Sequence, residues 1–143
     1  MSNVTLPVAI HVLLLKDNKI LLMRRENTGF NDGKWSIPAG RLESGETMSQ
    51  GAAREAKEEV GVEIDPKKFK ATHVMHHCDD RGERLYIFFL YKEWGGDPIN
   101  CEPDKCSEIS WFDISKLPAN IIDHIKSAIG FTLNGVAFSE FGF

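Results

Sequence analysis

The stretch from Gly40 to Val62, GRLESGETMSQGAAREAKEEVGV, constrains this chain more than any other. Read as a helix over roughly 47–60, it puts Glu55, Glu58 and Glu59 at i, i+3 and i+4, so their carboxylates project together. Ala53, Ala56 and Val60 fall on another face, which is free to pack on a sheet. Glu46 and then Thr47 start the helix with an acid near its positive end. Gly61 supplies the C′ glycine that ends it. Gly40 and Gly45 permit a tight loop close to a ligand.

Like charges at helical spacing cost a few tenths of a kcal/mol, roughly 0.2–0.5 per pair. A charge run is commonly a solvated face. Three acids gathered on one rigid surface make more physical sense around a cation. Oxygen-only ligands suit Mg²⁺ or Mn²⁺ better than zinc.

The pattern resembles the Nudix box, G-x5-E-x7-R-E-U-x-E-E-x-G-U, where U is a bulky aliphatic. Gly40, Glu46, Arg54, Glu55, Glu58, Glu59, Gly61 and Val62 match in register. Ala56 is the one departure, a smaller apolar residue that still favours a helix. The resemblance implies an α/β Nudix fold, an α/β/α sandwich with a mixed sheet between helices. It also implies hydrolysis of a nucleoside diphosphate linked to another moiety, with Mg²⁺ as cofactor and Mn²⁺ as its substitute. By the same resemblance the backbone carbonyl of Ala39 helps to hold the metal.

The chemistry asks for these residue types. A phosphoanhydride is negatively charged and repels hydroxide, and divalent ions neutralise that charge and position water for in-line attack. Glu58 and Glu59 are the expected principal metal ligands. Glu55 is expected to bind a metal or to take the proton of the water. Arg54, one turn before Glu58, is expected to orient the acids, with Glu46 as its partner or as a supporting ligand. Glu55, Glu58 and Arg54 are thus the candidate catalytic residues.

The remaining chain reads as one domain over residues 1–143. Residues 7–15 and 19–25 read as strands joined by a turn at Asp17-Asn18. Arg25 closes the second strand and is read either as a solvated strand end or as a phosphate contact. Residues 35–40 read as one short strand entering the box, and Trp35 as core. Residues 69–78 and 84–94 read as long strands joined by a polar turn, with Phe88 and Phe89 in the core. His76-His77-Cys78 cannot converge on one ion, because neighbouring strand residues point to opposite faces.

Residues 95–107 read as a long loop, and long loops are often functional. Gly96-Asp97-Pro98 followed by Glu102 resembles a loop that brings a glutamate to the metal site in some Nudix nucleoside triphosphate hydrolases. Glu108 competes with Glu102 for that role. Residues 109–112 read as a strand. Asn120 reads as the N-cap of a last helix, and family resemblance also places it beside a nucleoside pocket as a candidate base-edge contact. The aromatic tail from Phe138 to Phe143 is free to fold back on the domain or onto a partner subunit of a homodimer.

Substrate marks are sparse. ADP-ribose hydrolases tend to carry a proline about fifteen residues past the box, where this chain has His76-His77-Cys78. Dinucleoside-polyphosphate hydrolases tend to carry a tyrosine slightly later, where Asp79-Asp80 stand. The NADH-type SQPWPFPxS run does not occur. By elimination a MutT-like nucleoside triphosphate pyrophosphohydrolase leads, ahead of ADP-ribose, nucleotide-sugar or dinucleotide pyrophosphatases. A nucleotide-sensing module without activity and an isoprenoid diphosphate isomerase are the rivals from other classes. The former commonly loses box glutamates, all of which are present.

A net charge of −4 argues against broad nucleic-acid binding and leaves a small-molecule nucleotide as the expected partner. Three cysteines without a pairing pattern point to reduced thiols and a cytoplasmic setting. The N-terminal residues lack a basic region ahead of an apolar run, so no signal peptide is expected. No run is long enough to span a bilayer.

Overall fold

The computed structural model describes residues 2–143. The elements in order are strands β1 (Val8–Lys16), β2 (Lys19–Arg25), β3 (Trp35–Ser36) and β4 (Ala39–Arg41), helix α1 (Met48–Val60), and strands β5 (Ala71–Asp79), β6 (Gly82–Tyr91) and β7 (Cys106–Asp113). Helix α2 (Asp123–Leu133) and strand β8 (Phe138–Phe141) complete the chain. The strands run in the order β3-β2-β1-β6-β5-β8, with β4 also on β1 and β7 also on β2. β1 pairs with β6 and β5 with β8 in parallel, and the other pairs are antiparallel, so the sheet is mixed.

The alternation of β1 builds both halves of the core. Ile10, Val12 and Leu14 face α1 and pack with Ala52, Ala56 and Val60. Leu13 faces the other way with Ile20 and Leu22, against Ile125, Ala128 and Ile129 of α2. Two helices on opposite faces of one sheet make the α/β/α sandwich that the sequence resemblance implied. No helix of the described residues is long and apolar enough to cross a membrane.

One topological detail makes room for a site. β1 pairs with β2 only at Leu15–Ile20 and Lys16–Lys19, next to the hairpin turn. Asp17 and Asn18 take positive φ of 52° and 62° there, as a tight primed turn requires. Beyond it the strands part. The first half of β1 pairs with β4, while the far end of β2 pairs with β3 and β7. Met23 and Arg25 of β2, Ser36 of β3 and Ala39 of β4 line a cavity where the strands have parted.

Several sequence expectations are corrected. Residues 35–40 form two strands, not one, because β3 joins β2 and β4 joins β1, with Pro38 between them unable to donate to a ladder. The strand expected from Phe69 begins at Ala71, after a 3-10 turn over Pro66–Lys68 that the Asp65 side chain caps through the Lys67 N–H. The next strand ends at Tyr91, before Gly95 and Gly96. Asn120 is not a helix cap. α2 starts at Asp123 after Ile122, and the Asn120 amide donates instead to the Gly33 carbonyl at 2.9 Å. The aromatic tail folds back on its own chain, with β8 parallel to β5 and Phe141 stacked on His77. His76 turns away to Glu83, at 2.8 Å, while His77 is buried.

Candidate active site

Helix α1 is capped as its sequence dictates. Thr47 accepts the Gln50 N–H while the Gln50 side chain accepts the Thr47 N–H, a reciprocal capping box. Gly61 ends it at a φ of 73°, a left-handed conformation that glycine adopts without strain. Between these caps the apolar face is pinned to the sheet, which fixes the rotation of the acidic face. Ala52, Ala56 and Val60 are fully buried.

Arg54 organises the acids. Its guanidinium holds Glu46 through Nε and Nη2 at 3.0 and 2.7 Å, Glu55 at 2.6 Å, the Arg41 carbonyl at 2.9 Å and Glu58 at 3.4 Å. The Glu46 hydrogen bonds raise the Arg54 pKa further, and in return Arg54 lowers that of Glu46. Glu46 is therefore the partner of Arg54, one of the two roles expected for it. Bidentate and multidentate contacts of this kind are what guanidinium geometry supplies and an ammonium does not.

Glu55 and Glu59 turn inward from the helix to one wall of a cavity of about 420 Å³. Glu102, from the loop before β7, joins them, and Ala39 of β4 lies at the same wall. The Ala39 N–H donates to Glu59 Oε2 at 2.7 Å. Burial raises the Glu55 pKa. Burial, then the charges of Glu55 and Glu102, push Glu59 well above the usual carboxylate range. Glu58 sits outside this cavity on the helix shoulder, its side chain 53% exposed and edged against Arg54.

Arg25 lines the same cavity, so the structure brings it to the acids. Its Nε donates to the Phe30 carbonyl at 2.8 Å and Nη2 to Thr28 Oγ1 at 3.1 Å, which anchors the side chain in the loop after β2. Burial lowers its pKa. Asn120 is not brought there. It lies on the loop before α2, tied to Gly33. Glu108, the competitor of Glu102, points instead to Arg24 at 3.7 Å on the surface.

Among the cavity residues that sequence reasoning missed are the polar side chains of Asn27, Thr28, Ser36, Lys105 and Cys106. A basic residue three positions after Glu102 was the available signal for Lys105. Cys106 is buried, donates to the Glu108 carbonyl at 3.1 Å, and burial pushes its thiol pKa up.

The donor set suits a hard divalent cation: Glu55, Glu59 and Glu102 offer carboxylates, no histidine lines the cavity, and the Cys106 thiol is kept protonated by burial and spends its proton on the Glu108 carbonyl. As the side chains stand, no three His, Cys, Asp or Glu of the described residues enclose a single point. Arg54 engages Oε1 of Glu55, and the Ala39 N–H engages Oε2 of Glu59. The other oxygen of each carboxylate accepts no hydrogen bond among the described residues, so Glu59 Oε1 would be free to hold the cation and Glu55 Oε2 to take a proton from water.

Comparison with known proteins assigns the class. The family model described as NUDIX domain matches residues 5–130. An ADP-ribose pyrophosphatase of Methanocaldococcus jannaschii is 35% identical over 119 residues, 83% of this chain and 69% of that protein. An 8-oxo-dGTP diphosphatase of Proteus vulgaris is 34% identical, over 66% of this chain and 82% of that protein. Against another curated relative the chain spans only 27% of the relative's length. The crystal structure of a MutT NUDIX hydrolase from Burkholderia pseudomallei superposes with a TM-score of 0.80 at 23% identity, covering 88% of this chain and 97% of that one, a likeness of fold. The chain belongs to the Nudix hydrolase family, whose members among these relatives are pyrophosphohydrolases of nucleotide derivatives.

Proposed function

We propose that this protein, as one domain over residues 1–143, hydrolyses a phosphoanhydride bond in a nucleoside triphosphate, giving the monophosphate and diphosphate, with Mg²⁺ as cofactor and Mn²⁺ as its substitute. The observation that carries the proposal is the one cavity that Glu55, Glu59 and Glu102 share with Arg25. Glu55 and Glu59, whose ionised forms burial and neighbouring acids disfavour, would gain most from a divalent cation. Glu59 and Glu102 would hold it, with Glu58 and the Ala39 carbonyl at its edge. Bound there, magnesium supplies neutralisation of the phosphate chain and a more acidic water.

The chain's own residues do the rest. Arg25 binds a phosphate oxygen, a task for which its anchored guanidinium is suited. Arg54 keeps Glu55 and Glu58 in place. Glu55 Oε2 receives a proton from the attacking water while Arg54 engages Oε1. The water oxygen bonds to phosphorus as the bridging P–O bond breaks, and diphosphate leaves with the electron pair. The three free thiols support a reducing, cytoplasmic setting.

ADP-ribose is the second substrate reading, and the name of the Methanocaldococcus jannaschii relative favours it. A panel of nucleoside triphosphates, ADP-ribose, nucleotide sugars and dinucleotides, assayed for diphosphate and monophosphate with Mg²⁺, decides between them. Diphosphate release from a triphosphate is the expected result. Glu58→Gln should cut that turnover by on the order of 100-fold, about 2.7 kcal/mol of transition-state stabilisation, while the far-UV spectrum stays unchanged. Tight nucleotide binding without turnover of any substrate would replace the enzyme with a sensor.

A further inference from the structure

Lys105 stands out among the cations of this molecule. It lines the same cavity as Glu55, Glu59 and Glu102. It has no ion-pair or side-chain hydrogen-bond partner among the described residues, whereas Arg25 is anchored by Phe30 and Thr28. Its backbone is locked nonetheless. The Lys105 N–H donates to the Glu102 carbonyl at 3.0 Å, and its carbonyl accepts the Glu26 N–H at 2.9 Å. One residue earlier, the Asp104 carbonyl accepts from the Asn27 amide at 3.3 Å, which ties this loop to the one holding Arg25. A fixed backbone with an unengaged ammonium at the cavity rim is a point charge waiting for an anion.

We propose that Lys105 is a specificity-determining residue that binds the terminal phosphate of a nucleoside triphosphate and so favours triphosphates over substrates whose phosphates are both capped. Lys105 follows Glu102 by three residues on one loop, so whatever anion it binds lies beside the acids, where the phosphate chain is drawn. A terminal phosphate carries one more ionisable oxygen than either phosphate of ADP-ribose, and an ammonium at that end discriminates by charge. Arg25, anchored in the same cavity by Phe30 and Thr28, serves the phosphate common to both substrate types. The triphosphate preference proposed above is thereby given a residue, and this inference rests on that reading.

The test compares wild type with Lys105→Gln and Lys105→Arg. The ratio of kcat/KM for a nucleoside triphosphate to that for ADP-ribose should fall at least tenfold in Lys105→Gln and recover in Lys105→Arg. An unchanged ratio overturns the proposal, whether both substrates lose equally or neither does. Calorimetric binding of inorganic diphosphate and of an imido-bridged triphosphate analogue, with Mg²⁺ present, gives a readout independent of turnover. Weaker binding of both probes by Lys105→Gln supports the role, and equal binding removes it. If wild type turns over neither substrate, the hydrolase reading fails on its own, and the binding arm alone decides for or against Lys105.

Discussion

At Gly40 the backbone of β4 passes so close to α1 that an added Cβ would meet the Glu55 carboxylate head on. The glycine is required here for space beside an acid and not for a special dihedral. Gly40→Ala should therefore displace Glu55 from Arg54. Turnover should drop at least tenfold, and stability by about 1–3 kcal/mol, the usual cost of overpacking. Parallel activity assays and thermal melts check this, and full activity at full stability would show that the Glu55 position is unimportant. Glycine, arginine and three glutamates of this contact were legible in the sequence as a spaced pattern. That Arg54 grips Glu46 with two nitrogens, and that Glu58 stays on the helix shoulder while Glu59 turns inward, was not. Helical spacing assigns residues to a face roughly 100° wide, and a cavity edge divides that face more finely.

The loop from Gly95 to Lys105 shows how an element without regular structure is held still. Its Ile99 and Cys101 N–H groups donate to the Val60 and Glu59 carbonyls at 3.0 and 3.1 Å, so the loop caps the end of α1. Asn100 then braces Glu102 directly. Its Oδ1 accepts the Glu102 N–H at 3.0 Å and its Nδ2 donates to the Cys106 carbonyl at 2.7 Å. Asn100→Ala should lower kcat/KM about tenfold, near 1.4 kcal/mol, within the range for a lost structural hydrogen bond. In a Glu102→Gln background the same change should cost little more, since both act through one carboxylate. Fully additive losses would separate Asn100 from Glu102. The sequence marked this loop by its length and by Glu102. The bracing by Asn100 depends on backbone carbonyls contributed by α1 and β7, which no local pattern announces.

Over the whole molecule, the α2 face of the sheet buries a group of histidines. His11, His77 and His124 surround Tyr86, with ring centroids 4.8, 4.8 and 5.1 Å from it. Nδ1 of His11 and of His77 is buried without a hydrogen-bond partner among the described residues. Burial pulls His11 and His124 down to about 3 and lowers His77 as well, with the nearby charges of Arg81 and Arg84 adding to the effect at His77. Asp79, held to about 2 by hydrogen bonds from Arg81 and Arg84 against the opposing pull of burial, is the acid on that side. A histidine whose folded pKa lies below its unfolded value of about 6.5 stabilises the fold above that pH and loses its contribution as the pH falls. Glu59 acts in the opposite sense, because its raised pKa lets the folded state take up a proton first.

Stability should thus decline from about pH 6.5 downward, by up to about 1.4 kcal/mol per pH unit for each histidine. His124→Phe, which keeps an aromatic ring beside Phe141 and His77, should flatten that decline. Urea melts between pH 5 and pH 7 measure it, and an identical slope in the variant would exclude His124 as a source.

The chain alone determined the helix with its caps and the acids at their spacing, because periodicity and turn chemistry act over a few residues, and through the spaced motif the resemblance that implied the family and the sandwich with its mixed sheet. Tertiary structure decided the rest. β1 and β2 part after two residue pairs and so open the cavity, Arg25 and Lys105 meet acids from distant segments, Asn120 is drawn to Gly33 and away from α2, and the aromatic tail becomes β8. Each of these depends on which strand finds which partner. That choice is made by burial over the whole sheet and leaves no mark in any short stretch of sequence.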